Sequence, residues 1–157
     1  MNIPKEFLNI ASVYAKKRSE ANKETRDKNT NYQVEDSFFV DYVGIIGELL
    51  ATLEASKKGT SFFFNEIYKE KPIFGPDIVV YFKDKEYKID VKASVKNHYC
   101  VPVHKLEKAE KHNIFYYWFF VLDLKEKNYK HGFFSAEEVK NWPIFETYGF
   151  NSHINKL

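Results

Sequence analysis

Apolar positions recur with a helical period at the start of the chain. Phe7, Leu8, Ala11, Tyr14 and Ala15 lie on one stripe behind Pro4, a residue suited to the first turn of a helix. The pattern then turns polar. The stretch KKRSEANKETRDKNTN, residues 16–31, carries six basic and three acidic side chains and predicts a solvated helix end passing into a loop. A second helix is predicted from a cap at Asp36 or Ser37 to about Lys57, with Gly59 just beyond. Its apolar residues include Phe39, Val43, Ile46, Leu49, Leu50 and Leu53. Strand-like stretches follow at Ser61–Ile67, Asp77–Phe82, Glu86–Lys92 and Tyr99–Val103, then a short helix at His104–His112. Ile114–Leu122 reads as a central strand buried on both faces, and Tyr129–Phe134 as one more strand. Ser135 and Glu138 form a capping box for a last helix, Ala136–Trp142, and the residues after Pro143 give no clear signal. The order α-α-β-β-β-β-α-β-β-α implies a mixed α/β fold with one sheet flanked by helices.

Within this order the stretch GPDIVVYFKDKEYKIDVKAS, residues 75–94, carries the chemistry. With Asp84–Lys85 as a two-residue turn, Ile78 faces Val91, Val80 faces Ile89 and Phe82 faces Tyr87. That register leaves Asp77 opposite Lys92 on the other face, with Asp90 two residues from Lys92 and so on the same side. Two carboxylates and an ammonium thus gather at one end of the hairpin. Paired carboxylates repel, and a hard divalent cation relieves that repulsion. Glu48 sits among apolar neighbours in GIIGELLA, where a charge needs a reason to be. Gly44 and Gly47 in the same helix predict close packing on the sheet.

Composition sets the remaining bounds. The chain has 157 residues, 44% hydrophobic and 18% aromatic, enough apolar material for one folded domain. Its 24 basic and 22 acidic residues leave a net charge of +2, which neither demands nor excludes a nucleic-acid partner. Arg18 and Arg26 are the only arginines, so phosphate contacts would fall mainly to lysine. Cys100 is the single cysteine, which excludes an intrachain disulfide and argues against a cysteine zinc site. His98, His104, His112, His131 and His153 show no metal-ligand spacing such as H-x-x-x-H. The chain start lacks a signal-peptide core, and Ile114–Leu122 is too short to span a bilayer. A cytoplasmic protein without a membrane partner is the expectation.

A helix glutamate at Glu48, then Pro76-Asp77, then Asp90-Val91-Lys92, resembles the PD-(D/E)XK nuclease superfamily, which includes type II restriction endonucleases, Holliday junction resolvases and DNA repair nucleases. By motif the resemblance covers Gly44 to Ser94, and all four family positions are filled. The segment before Glu48 is longer than is usual in the superfamily's junction resolvases, which weakens a resolvase reading and leaves restriction-like and phage-type relatives open. The resemblance implies a restriction-endonuclease-like mixed central sheet with an α-β-β-β-α-β core at 36–142, an N-terminal helical extension at 1–35 and a tail at 143–157. It implies that Asp77 and Asp90 hold Mg2+, with Mn2+ able to substitute, helped by the backbone carbonyl of Val91. Lys92 would orient or activate the attacking water, and Glu48 would organise the site from the helix and serve as a further metal ligand, holding a second metal. The expected activity is endonucleolytic cleavage of DNA, double-stranded or branched, with a homodimer supplying two sites for a duplex. The alternatives are an inactive nucleic-acid-binding or assembly module on the same fold, or an RNA-cutting enzyme. Ser94, Lys96, Asn97 and His98 directly follow the catalytic strand and are candidates for contacts to the sugar-phosphate backbone, as are Lys16, Lys17 and Arg18 in the basic arm.

Overall fold

Two helices precede the first strand. In the computed structural model, which describes residues 1–29, 37–63, 74–147 and 149–157, α1 spans Lys5–Asn29 and α2 spans Ser37–Ser56. The polar stretch expected to pass into a loop therefore stays helical as far as Asn29. Its charged side chains favour a solvated helix as readily as a loop, and periodicity cannot separate the two. The proposed cap Asp36 lies outside the described residues. Ser37 opens α2, and its hydroxyl accepts a hydrogen bond from that of Ser19 at 2.8 Å, joining the two helices.

The strands are β1 (Thr60–Phe63), β2 (Ile78–Phe82), β3 (Lys85–Ser94), β4 (His98–Pro102), β5 (Tyr116–Asp123), β6 (Asn128–Ser135), β7 (Ile144–Thr147) and β8 (Phe150–Lys156); two further helices are α3 (Val103–Lys111) and α4 (Ala136–Lys140). Residues 64–67 of the expected first strand lie outside the described residues. A five-stranded sheet runs β1-β2-β3-β5-β6. Among the described residues only β3 and β5 pair in parallel, through the crossover that contains β4 and α3. The other neighbours are antiparallel, so the central sheet is mixed and the fold class is the expected α/β one.

Two expectations are corrected. The β2–β3 turn is Lys83–Asp84, not Asp84–Lys85: Phe82 pairs with Lys85, Val80 with Tyr87 and Ile78 with Ile89. Lys83 and Asp84 both have positive φ, 50° and 60°. That is the signature of a primed two-residue turn, whose twist matches that of the strands, and Asp tolerates it well. The slip is by two residues, so each side chain keeps its face. The second correction concerns the tail and β4. Instead of joining the main sheet, β4 pairs with β8, which pairs with β7, in a separate three-stranded antiparallel sheet. The buried run of β8 is Ser152, His153 and Ile154, too polar to announce a strand by hydrophobic alternation.

β5 divides the core. Trp118, Phe120 and Leu122 pack with Ile45, Ile46 and Leu50 of α2 and with Ile78 and Ile89. Tyr117, Phe119 and Val121 pack on the opposite side with Tyr99, Val101, Leu106 and Val139. Both faces of this strand are buried, as its unbroken apolar run predicts. The Ser135–Glu138 capping box forms as expected. Among the described residues no helix is long and apolar enough to cross a membrane.

Candidate active site

The site forms where β2 leaves β3. Pro76 is buried and has no backbone N–H to offer a ladder. The next residue, Asp77, lies just outside β2: its N–H donates to the carbonyl of Ile89 at 2.9 Å. Its carboxylate oxygen Oδ2 accepts the N–H of Val91 at 2.7 Å. A side chain thus replaces backbone at the end of the ladder, and this is what fixes the Asp77 carboxylate beside β3. The sequence-derived register had set Asp77 opposite Lys92. Instead Asp77 sits against Val91 and within reach of Asp90, with which it shares a hydrogen-bonding and charge interaction.

Asp90 and Lys92 project from the same face of β3. Their partners on β5 are Tyr117 and Phe119, which belong to the core on the side away from α2. Lys92 Nζ lies 2.7 Å from Asp90 Oδ2. Burial lifts the Asp90 carboxyl, the neighbouring Asp77 charge adds to the rise, and Lys92 opposes it; the net result is a pKa of about 6. Lys92 also acts on His104 in the first turn of α3, whose pKa is lowered by partial desolvation and by Lys105 and Lys92. His104 therefore lies within electrostatic range of Lys92.

Glu48 reaches its place from the other layer. A Cβ at Gly47 would lie 2.6 Å from that of Ala93, so α2 packs directly on the Val91–Ala93 face of β3. Glu48 is buried, and its Oε2 accepts from Arg18 Nη2 at 2.7 Å. The N-terminal helix thus neutralises the glutamate that sequence reasoning assigned to the site. Among the described residues Glu48, Asp77 and Asp90 do not form a three-ligand cluster. The donor set that does converge is Asp77 with Asp90. Two hard carboxylates, one carrying an unfavourable charge, fit Mg2+ or Mn2+, which bind through one or two carboxylates and keep several waters.

The remaining candidates divide. Ser94 Oγ accepts the N–H of Lys96 at 2.9 Å in the turn after β3. Asn97 Nδ2 donates to the carbonyl of Leu157 at 3.0 Å, tying that turn to the chain end. His98 opens β4, and burial together with Lys96 and Lys156 lowers its pKa, so positive charge is concentrated along this rim. Lys16 and Lys17 are exposed on α1, with Lys17 Nζ 5.3 Å from the Tyr14 ring centroid. Arg18 is buried on Glu48 rather than presented to solvent. That pairing had a signal in the sequence, since a glutamate inside an apolar helix requires a cation. Tyr117, which the sequence places in a buried central strand, is set opposite Asp90 by the parallel pairing of β3 with β5.

No family model matches the chain, and no curated protein sequence matches it. Among solved structures the chain is similar to Hjc, a Holliday junction resolvase from Archaeoglobus fulgidus, at 17% identity and a TM-score of 0.42, over 67% of this chain and 81% of that one. It is also similar to D212, a nuclease from a fusselovirus, at 17% identity and a TM-score of 0.41, over 73% of this chain and 82% of that one.

Proposed function

We propose that the chain is a divalent-metal-dependent endonuclease that hydrolyses phosphodiester bonds in DNA. The observation that carries this reading is the convergence of Asp77 and Asp90 where β2 leaves β3, with the Lys92 ammonium 2.7 Å from Asp90. Asp77, Asp90 and the carbonyl of Val91 are the groups that would hold Mg2+ or Mn2+. When bound, such an ion supplies positive charge against the scissile phosphate and promotes ionisation of the attacking water.

The side chains supply the rest. Asp77 is held by the Val91 N–H, so its carboxylate does not have to be ordered when metal and substrate arrive. Lys92 brings a fixed positive charge and three donors to the place where a phosphate oxygen gains charge in the transition state. It also lies close enough to hydrogen-bond and orient a water. Glu48, itself fixed by Arg18, organises the site through α2 rather than from its open side. Lys96 and Lys156, whose charges act together on His98, favour a polyanion running along the adjoining rim. Two copies of the chain would present one such site to each strand of a duplex.

The experiment is incubation with plasmid, branched DNA and RNA, each with Mg2+, Mn2+, Ca2+ or EDTA. DNA cleavage is expected with Mg2+ and Mn2+. Ca2+ should bind without supporting turnover, since its looser coordination positions water less well. Full cleavage in EDTA would overturn the mechanism, and cleavage of RNA alone would reassign the substrate.

A further inference from the structure

Tyr117 lies at the centre of β5, in register with Asp90 on the neighbouring parallel strand. Its side chain is fully buried, and its hydroxyl has no hydrogen-bond partner among the described residues. A buried hydroxyl without a partner costs free energy and returns none. Packing does not require it: Phe119, two residues along on the same face, fills its place with a bare ring and stacks on Tyr99 with centroids 5.0 Å apart. Two carboxylates act on the Tyr117 hydroxyl, Asp90 and Glu110. Glu110 is already engaged by Lys140, with Nζ 2.7 Å from Oε1. Asp90 carries Lys92 on Oδ2, interacts with Asp77, and is the register partner of Tyr117 on the adjoining strand.

We propose that Tyr117 is a positioning residue for metal binding, whose hydroxyl donates a hydrogen bond to the Asp90 carboxylate when Asp90 serves as a metal ligand. This rests on the metal-dependent nuclease reading above. A donor behind a ligating carboxylate fixes its orientation and favours its charged form, and such outer partners govern metal affinity as well as rate. The hydroxyl is thus kept at a cost to the metal-free fold for the sake of the loaded one.

The test compares the parent chain with Tyr117→Phe, using Mn2+ alone as the probe and the paramagnetic signal of free Mn2+ as the readout, with thermal unfolding measured in EDTA. Tyr117→Phe should bind Mn2+ about 10–100-fold more weakly than the parent. In EDTA it should melt at or above the parent's temperature, because no hydrogen bond is lost. A purely structural hydroxyl gives the opposite signature: unchanged Mn2+ affinity with a lower melting temperature, and either half of that result overturns the role. Absence of Mn2+ binding by the parent itself overturns the nuclease reading, and the Tyr117 role falls with it.

Discussion

Arg18 of the N-terminal helix closes on Glu48 of the second helix, Nη2 to Oε2, at 2.7 Å with only 6% of either side chain exposed. Removing one member of such a pair strands the other's charge in a medium that solvates it poorly. Arg18→Met should therefore destabilise the protein by about 3–5 kcal/mol. The double variant Arg18→Met with Glu48→Leu should regain most of that loss, because an apolar pair needs no partner. Urea unfolding of the three proteins checks this. A single variant as stable as the parent would mean that the pair contributes nothing.

The two glycines of α2 should respond with opposite signs. A Cβ at Gly47 would sit 2.6 Å from the Ala93 Cβ, so Gly47→Ala must push the helix off β3. Overpacking of this kind costs about 1–3 kcal/mol. A Cβ at Gly44 would meet Arg18 Nη1 at 3.6 Å, an ordinary contact. Gly44→Ala should instead stabilise by up to about 1 kcal/mol through helix propensity. Melting curves of the two variants should move in opposite directions, and a shared direction would contradict the packing described.

What the sequence made legible follows from which signals are local. Alternating apolar residues on both sides of Lys83–Asp84 announced the hairpin, and a two-residue error in its turn did no harm because faces repeat every second residue. Asp77, Asp90 and Lys92 were accordingly found on one side of it. The unbroken apolar run of β5 announced a strand buried on both faces. The second sheet was not legible, because β8 buries Ser152 and His153, and no polarity pattern marks that. The Arg18–Glu48 pair spans 30 residues. Burial of Glu48 demanded a cation, but nothing local says which one. Tyr117 reads as core by its neighbours, and only the parallel register sets it opposite Asp90.

The elevated Asp90 carboxyl sets a pH dependence. With a pKa raised from 3.8 to about 6 by burial and by Asp77, Asp90 is protonated just below neutrality and cannot then serve as an anionic ligand. Mg2+ affinity should therefore fall as the pH drops through about 6. In the metal-free protein the same group favours folding at low pH, since the native state holds a proton that the unfolded chain has released. That contribution is lost as the pH rises from about 4 through the folded pKa of about 6. A Mg2+ affinity that stays flat over this window would show that Asp90 is not the titrating ligand.

In the proposed mechanism Lys92 serves the chemical step and not attachment to nucleic acid. Its ammonium sits 2.7 Å from Asp90 and off the apolar face of the hairpin, so Lys92→Ala should leave the fold intact. The decisive measurement is the single-turnover cleavage rate of Lys92→Ala in Mg2+, with a binding curve at the same salt concentration and circular dichroism as the folding control. The predicted result is a rate about 10²–10⁴-fold below the parent with binding nearly unchanged, because phosphate attraction is spread over many basic side chains. A folded Lys92→Ala protein that cuts as fast as the parent would contradict the account.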